Sequence, residues 1–156
     1  MSVESSLNFR RVSETVTTSG TVAAEGLAEL KAKGYDLVVN LLPDSSEYAV
    51  GGEAAIVAGQ GVDYVYIPID FATPNREQFE AFAAAMDANA EKVVHVHCAA
   101  NYRVSSFVAL YHEARLSWSP EQSDAHMRRI WEPNETWSRF IADERARQST
   151  RPPEKP

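Results

Sequence analysis

The stretch VVHVHCAANYRVSSFVALY, residues 93–111, decides how the chain is read. It opens with a β-favouring run, Val93-Val94-His95-Val96-His97, and reaches the only cysteine, Cys98. A short loop of small and polar residues follows, Ala99-Ala100-Asn101-Tyr102, and then Arg103. Beyond the arginine, apolar residues recur at Val104, Phe107, Val108 and Tyr111, the spacing of one helix face. The pattern predicts a buried strand that turns into a helix N-terminus, with the thiol at the turn. Free backbone N–H groups and the positive end of a helix dipole gather there and favour an anion. A thiol so placed is expected to ionise below the free value of about 8.5. A thiolate beside an anion cradle suggests attack on a bound oxyanion such as phosphate. Many single cysteines are inert packing. Here the strand, loop and helix context, His97 before the sulfur and an aspartate upstream favour a functional thiol.

The rest of the composition narrows the classes. With 156 residues the chain is long enough for one domain with a proper core. A formal net charge of -7 argues against a nucleic-acid surface, which needs a basic stripe. No apolar run approaches the roughly 18 residues of a membrane span, and residues 1–11 lack the order of a signal peptide. A lone cysteine forms no internal disulfide and works only if kept reduced, so a cytoplasmic protein is expected.

Outside the central stretch the elements alternate. Residues 1–7 are polar and expected to fray, and 8–18 read as a weak strand or hairpin ending at Gly20. A helix is predicted over 21–33 with Gly34 as its C-terminal cap. The run over 35–42 is a fully buried strand of the parallel type, followed by a loop at 43–47. A short helix over 53–59 leads to a strand over 62–69 and a second strand-end loop at 70–75. Residues 76–90 form the clearest amphipathic helix, with Phe79, Phe82 and Met86 on one face and Asn75 or Thr73 as N-cap. Ser119-Pro120-Glu121-Gln122 reads as a capping box opening a helix to about 130. A last helix is expected from 134 to 147, closing a single domain over 1–147. Residues 148–156, with three prolines, predict a disordered tail. Such alternation gives an α/β fold with a mostly parallel central sheet flanked by helices. Loops at the strands' C-terminal ends build the site in such sheets, here 43–47, 70–75 and 98–103.

From about residue 9 to 137 the chain resembles the cysteine-based protein tyrosine phosphatase superfamily, in its small bacterial dual-specificity-like branch. The resemblance rests on the strand–His-Cys–loop–Arg–helix unit, the Tyr-x-x-Ile-Pro-type strand leading to an acid, and the helical C-terminal end. That family separates its cysteine and arginine by five residues, whereas four separate Cys98 from Arg103. Two registers accommodate the difference. Either the loop is one residue shorter, or Asn101 stands where the family has glycine and Arg103 lies one place nearer the cysteine. Asn is the non-glycine residue best able to take positive φ.

The resemblance implies a role for each residue. Cys98 is the nucleophile and forms a cysteinyl-phosphate. Arg103 grips phosphate oxygens with its planar fork, and the backbone of Ala99, Ala100, Asn101, Tyr102 and Arg103 lines the cradle. Asp70 is the general acid, with Asp44 and Glu47 as alternatives. Ser105, or else Ser106, donates to the leaving thiolate, and His97 orients the loop. His95 reads as a satisfied core histidine. His112 and His126 lack metal-ligand spacing, so no metal or cofactor is expected. Trp118, Trp131 and Trp137 read as C-terminal core, with one available to wall the pocket. The function implied is hydrolysis of phosphomonoesters, phosphotyrosine-like or otherwise small, on a phosphorylated small molecule or phosphoprotein. A rhodanese-like sulfurtransferase with a Cys98 persulfide, favoured by the short loop, is a second reading. A non-catalytic phosphate-binding module is a third.

Overall fold

The computed structural model describes residues 2–149. Five strands form one sheet: β1 (Arg10–Arg11), β2 (Val16–Ser19), β3 (Leu37–Asn40), β4 (Asp63–Tyr66) and β5 (Val94–His97). Their order is β1-β2-β5-β3-β4, so the strand that carries the cysteine is central. β1 runs antiparallel to β2 and every other pairing is parallel, which bears out the mostly parallel sheet. β5 is fully buried, as its unbroken apolar and histidine run predicts.

Among the described residues six α-helices cover the sheet: α1 (Ala24–Ala28), α2 (Glu53–Ala58), α3 (Arg76–Ala88), α4 (Tyr102–Arg115), α5 (Pro120–Arg128) and α6 (Glu135–Ser149). One core joins β3 and β5 to α3, α4 and α6 through Val39, Val96, Phe82, Phe107 and Trp137. A second, smaller core packs α1 and α2 on the other face through Leu27, Leu30, Val38 and Val57. The chain therefore switches faces between α2 and α3, and the crevice at that switch lies at the C-terminal ends of β3 and β5.

α4 differs from its single-face reading, because residues 104–112 are buried all round. It packs against β2, α3, α5 and α6 together, so it is the central helix, and such helices are surrounded by apolar neighbours. α3 is capped by Asn75, whose side chain accepts from the Gln78 N–H while Gln78 reaches back, and Ser119 and Gln122 form the same box on α5.

Three expectations are corrected. Residues 2–7 are not frayed: Val3 is wholly buried in a 3-10 turn, because Gly26 lacks the side chain that would block the Ser2–Val3 backbone. The helix expected over 21–33 is regular only over Ala24–Ala28 and then continues as turns. Gly34 ends those turns at φ 92°, in the left-handed region expected of a cap. α6 runs to Ser149, two residues past the predicted end, and the expected tail beyond it lies outside the described residues.

Candidate active site

Cys98 is completely buried and follows the last residue of β5. Its N–H donates to the Ser19 carbonyl at 3.3 Å, so the thiol is held by β2 as well as by its own strand. The next two carbonyls are tied back against the N-terminal segment. Ala99 O accepts from the Thr21 N–H at 3.0 Å, and Ala100 O accepts from the Asn8 side-chain amide at 2.9 Å. In a trans peptide the N–H points opposite to the carbonyl. The N–H of Ala100, on the peptide whose carbonyl accepts from Thr21, therefore points away from that contact.

Asn101 makes the turn into α4. Its φ is 70°, and the helix begins at the next residue. Asn101 is thus a non-glycine residue at positive φ, and Arg103 lies in the first turn of α4. The Asn101 side chain is buried and donates to Asn8 O at 2.8 Å and Thr18 Oγ1 at 3.0 Å. Asn8 and Asn101 thus clasp each other's neighbourhood across 93 residues of chain. Gly20 lies against the same loop: a Cβ there would sit 2.4 Å from Ala99 O.

Arg103 reaches the loop after β4. Its Nε donates to the Ile69 carbonyl at 2.9 Å, and its guanidinium lies 5.1 Å from the centroid of the Phe71 ring. Among the described residues no hydrogen bond is made by its two terminal nitrogens. Asp70, between those two contacts in sequence, is exposed and folds over its own turn, accepting from the Ala72 N–H at 2.9 Å. The arginine and the aspartate loop are thus brought together.

These features match a known family. The model for the phosphatase-like domain of beta-lactamase hydrolase-like proteins aligns with residues 8–114. The chain belongs to that family. A beta-lactamase hydrolase-like protein of Agrobacterium fabrum is 29% identical over 103 residues, which are 64% of this chain and 24% of that protein. The chain therefore matches only about a quarter of that relative's length. A DUF442 protein from Shewanella putrefaciens CN-32 has a structure 34% identical, with a TM-score of 0.84 over 94% of this chain and 96% of its own. The active form of Tk-PTP, 20% identical, shares the fold with a TM-score of 0.76 over 89% of this chain and 97% of its own. The fold is thus shared with the DUF442 structure and with Tk-PTP.

Around Cys98 of this phosphatase-like domain the histidines divide. His95 lies in a closed chain of buried hydrogen bonds. Ser19 Oγ donates to Gly20 O at 2.7 Å, so it accepts from His95 Nε2–H at 2.8 Å. His95 Nδ1 must then accept from Thr17 Oγ1 at 2.8 Å, whose oxygen accepts from the Tyr35 hydroxyl at 2.7 Å. Every group is satisfied with a neutral imidazole, and burial, with His97 nearby, holds its pKa well below the ordinary histidine value. His95 is the core histidine expected. His97 faces Cys98 O with Nδ1 at 3.4 Å and Glu53 with Nε2 at 2.5 Å.

Both serines of the first helical turns donate to the backbone of α4 itself. Ser105 and Ser106 each donate to the Tyr102 carbonyl at 3.1 Å. Asp44 and Glu47 are exposed, and Asp44 lines a cavity of about 420 Å³ with Glu53, Tyr64 and Tyr66. Trp131 is the tryptophan beside the loop, stacked on Tyr102 with ring centroids 4.4 Å apart and planes at 4°. Trp137 is buried and donates from Nε1 to Phe71 O at 2.8 Å. Trp118 instead packs between His112 and His126, at 4.4 and 5.6 Å, away from the phosphate loop's aromatic wall.

Sequence reasoning missed Glu53, Asn8 and Gly20. Glu53 begins a short helix after Gly51-Gly52 and reads as an ordinary first-turn carboxylate. Its burial depends on His97, 44 residues away, and no local pattern carries that.

Proposed function

We propose that this domain is a cysteine-dependent phosphomonoesterase acting on phosphotyrosine-like or other small phosphoesters, in a reducing compartment such as the cytoplasm. The observation that carries the proposal is the loop after Cys98: its carbonyls are tied back, its turn is left-handed at Asn101, and Arg103 stands in the helical turn beyond. In this reading the Cys98 thiolate attacks phosphorus and the ester P–O bond breaks. Asp70 gives its proton to the leaving oxygen, which departs as the alcohol. Water then attacks the cysteinyl-phosphate, Asp70 takes a proton from it, and the S–P bond breaks to return the thiolate and release inorganic phosphate. Arg103 and the loop N–H groups hold the three equatorial oxygens as charge spreads over them.

The test is hydrolysis of p-nitrophenyl phosphate by the wild type and by Cys98→Ser, beside thiosulfate with cyanide. Phosphate release that vanishes in Cys98→Ser, without thiocyanate formation, is expected. Thiocyanate without phosphate release makes the protein a sulfurtransferase, and phosphate binding without turnover makes it a binding module.

A further inference from the structure

A buried acid–base pair lies under the phosphate loop. Glu53 opens α2 on the face of the sheet opposite α4, and its side chain is 7% exposed beside a His97 that is 1% exposed. Glu53 Oε2 is 2.5 Å from His97 Nε2, and His97 Nδ1 is 3.4 Å from the Cys98 carbonyl. A carbonyl oxygen only accepts, so Nδ1 must carry a hydrogen there. The 2.5 Å approach of Glu53 Oε2 to Nε2 calls for a hydrogen between those two atoms as well. Whichever of those two atoms holds it, Nδ1–H stays aimed at the cysteine's own peptide. Without the carboxyl, a neutral imidazole has one hydrogen for two positions and no reason to keep it on Nδ1.

We propose that Glu53 is a positioning residue that acts through His97, fixing the Cys98 peptide and keeping a proton-rich imidazole behind the sulfur. The inference rests on the reading of Cys98 as the reacting thiol. The other titratable groups around the pair are His95, whose ring lies 6.2 Å from that of His97, and Tyr64, Tyr66 and Asp44 on the β4 side. The neighbours of His97 in the sheet, Ser19 on β2 and Asn40 on β3, are uncharged. Of these groups only Glu53 is hydrogen-bonded to His97, so it alone supplies the compensating carboxyl.

The experiment uses the single cysteine as its own reporter. Glu53→Gln keeps the shape and gives Nε2 an amide donor, leaving a neutral imidazole. Iodoacetate reacts with the thiolate alone, so its rate against pH reads the thiol without turnover. The expected result is alkylation slowed about three- to tenfold at pH 6 in Glu53→Gln, with the two rates converging at alkaline pH where both thiols are ionised. Rates that are unchanged, faster, or slowed equally at every pH overturn the proposal. A wild type without phosphatase activity would sink the functional reading and leave this contrast standing. Should Glu53→Gln fail to fold, histidine ¹⁵N spectra of the wild type decide, since a His97 bare at Nδ1 overturns the proposal as well.

Discussion

Arg103 Nε donates to the carbonyl of Ile69 at 2.9 Å, joining the first turn of α4 to the loop that carries Asp70. One nitrogen of the side chain therefore holds the proposed acid loop, and the clamp reading needs the rest of the fork for phosphate. Lysine at this position keeps the charge and loses both functions, because it offers a point donor on a flexible stem. Arg103→Lys is expected to be nearly as damaging as Arg103→Ala, with kcat/KM lower by roughly 10²–10³-fold in each. Steady-state kinetics with inhibition by inorganic phosphate reads this, and near-wild-type values in Arg103→Lys reject the phosphate clamp.

Asp70 is exposed and held by its own turn, so its carboxyl is free to move towards a bound ester. Asp70→Asn keeps the side-chain oxygen that accepts from Ala72 and removes only the proton chemistry. Hydrolysis of phenyl phosphate is expected to fall about 10²–10⁴-fold, while esters of much better leaving groups fall far less. Equal losses on both substrates would move the role to Asp44 or Glu47.

The local parts of this architecture were legible in the sequence. Asn75 and Ser119 announce their helices because a cap and its partner lie three residues apart. The run over residues 93–97 announces a central strand because burial on both faces removes any alternation. Placement of Cys98, Arg103 and Asp70 at one sheet edge followed from strand and helix alternation alone. What stayed hidden depends on surfaces that exist only after folding. Val3 is buried because Gly26 leaves a notch, and the polar neighbours Ser2, Glu4, Ser5 and Ser6 give no sign of that. Glu53, Asn8 and Gly20 matter because α2 and the N-terminal segment close on β5, and their spacing from Cys98 carries no period.

Gly20 tests that closure directly. A methyl group there would meet the Ala99 carbonyl oxygen at 2.4 Å, and the atoms it meets are all backbone. The loop must move, because the Thr21 N–H that holds the same carbonyl is the next residue along. Gly20→Ala is expected to cost about 1–3 kcal/mol in stability, as overpacking does. Its kcat should fall by more than its melting temperature suggests. A variant with full turnover and unchanged melting would show that the brace does not set the cradle.

Stability should fall in mild acid, and His126 is the group that makes this measurable. It is buried, with no hydrogen-bond partner for Nε2 among the described residues, and desolvation, helped by His112, Arg129 and Arg10, lowers its pKa to about 4. His112 is lowered by burial too. A histidine whose folded value lies below its unfolded one binds its proton more readily in the unfolded chain. Its full contribution is therefore present above about pH 6.5 and is lost as pH falls from there towards 4. Between pH 7.5 and pH 5 the linkage amounts to about 2 kcal/mol for His126 alone. Urea unfolding at the two pH values is expected to show that loss in the wild type. His126→Gln should flatten it by a comparable amount while leaving phosphoester hydrolysis at neutral pH unchanged, since the ring packs on Trp118 and not on the phosphate loop. An equally steep acid loss in His126→Gln would transfer the effect to His95 and His112.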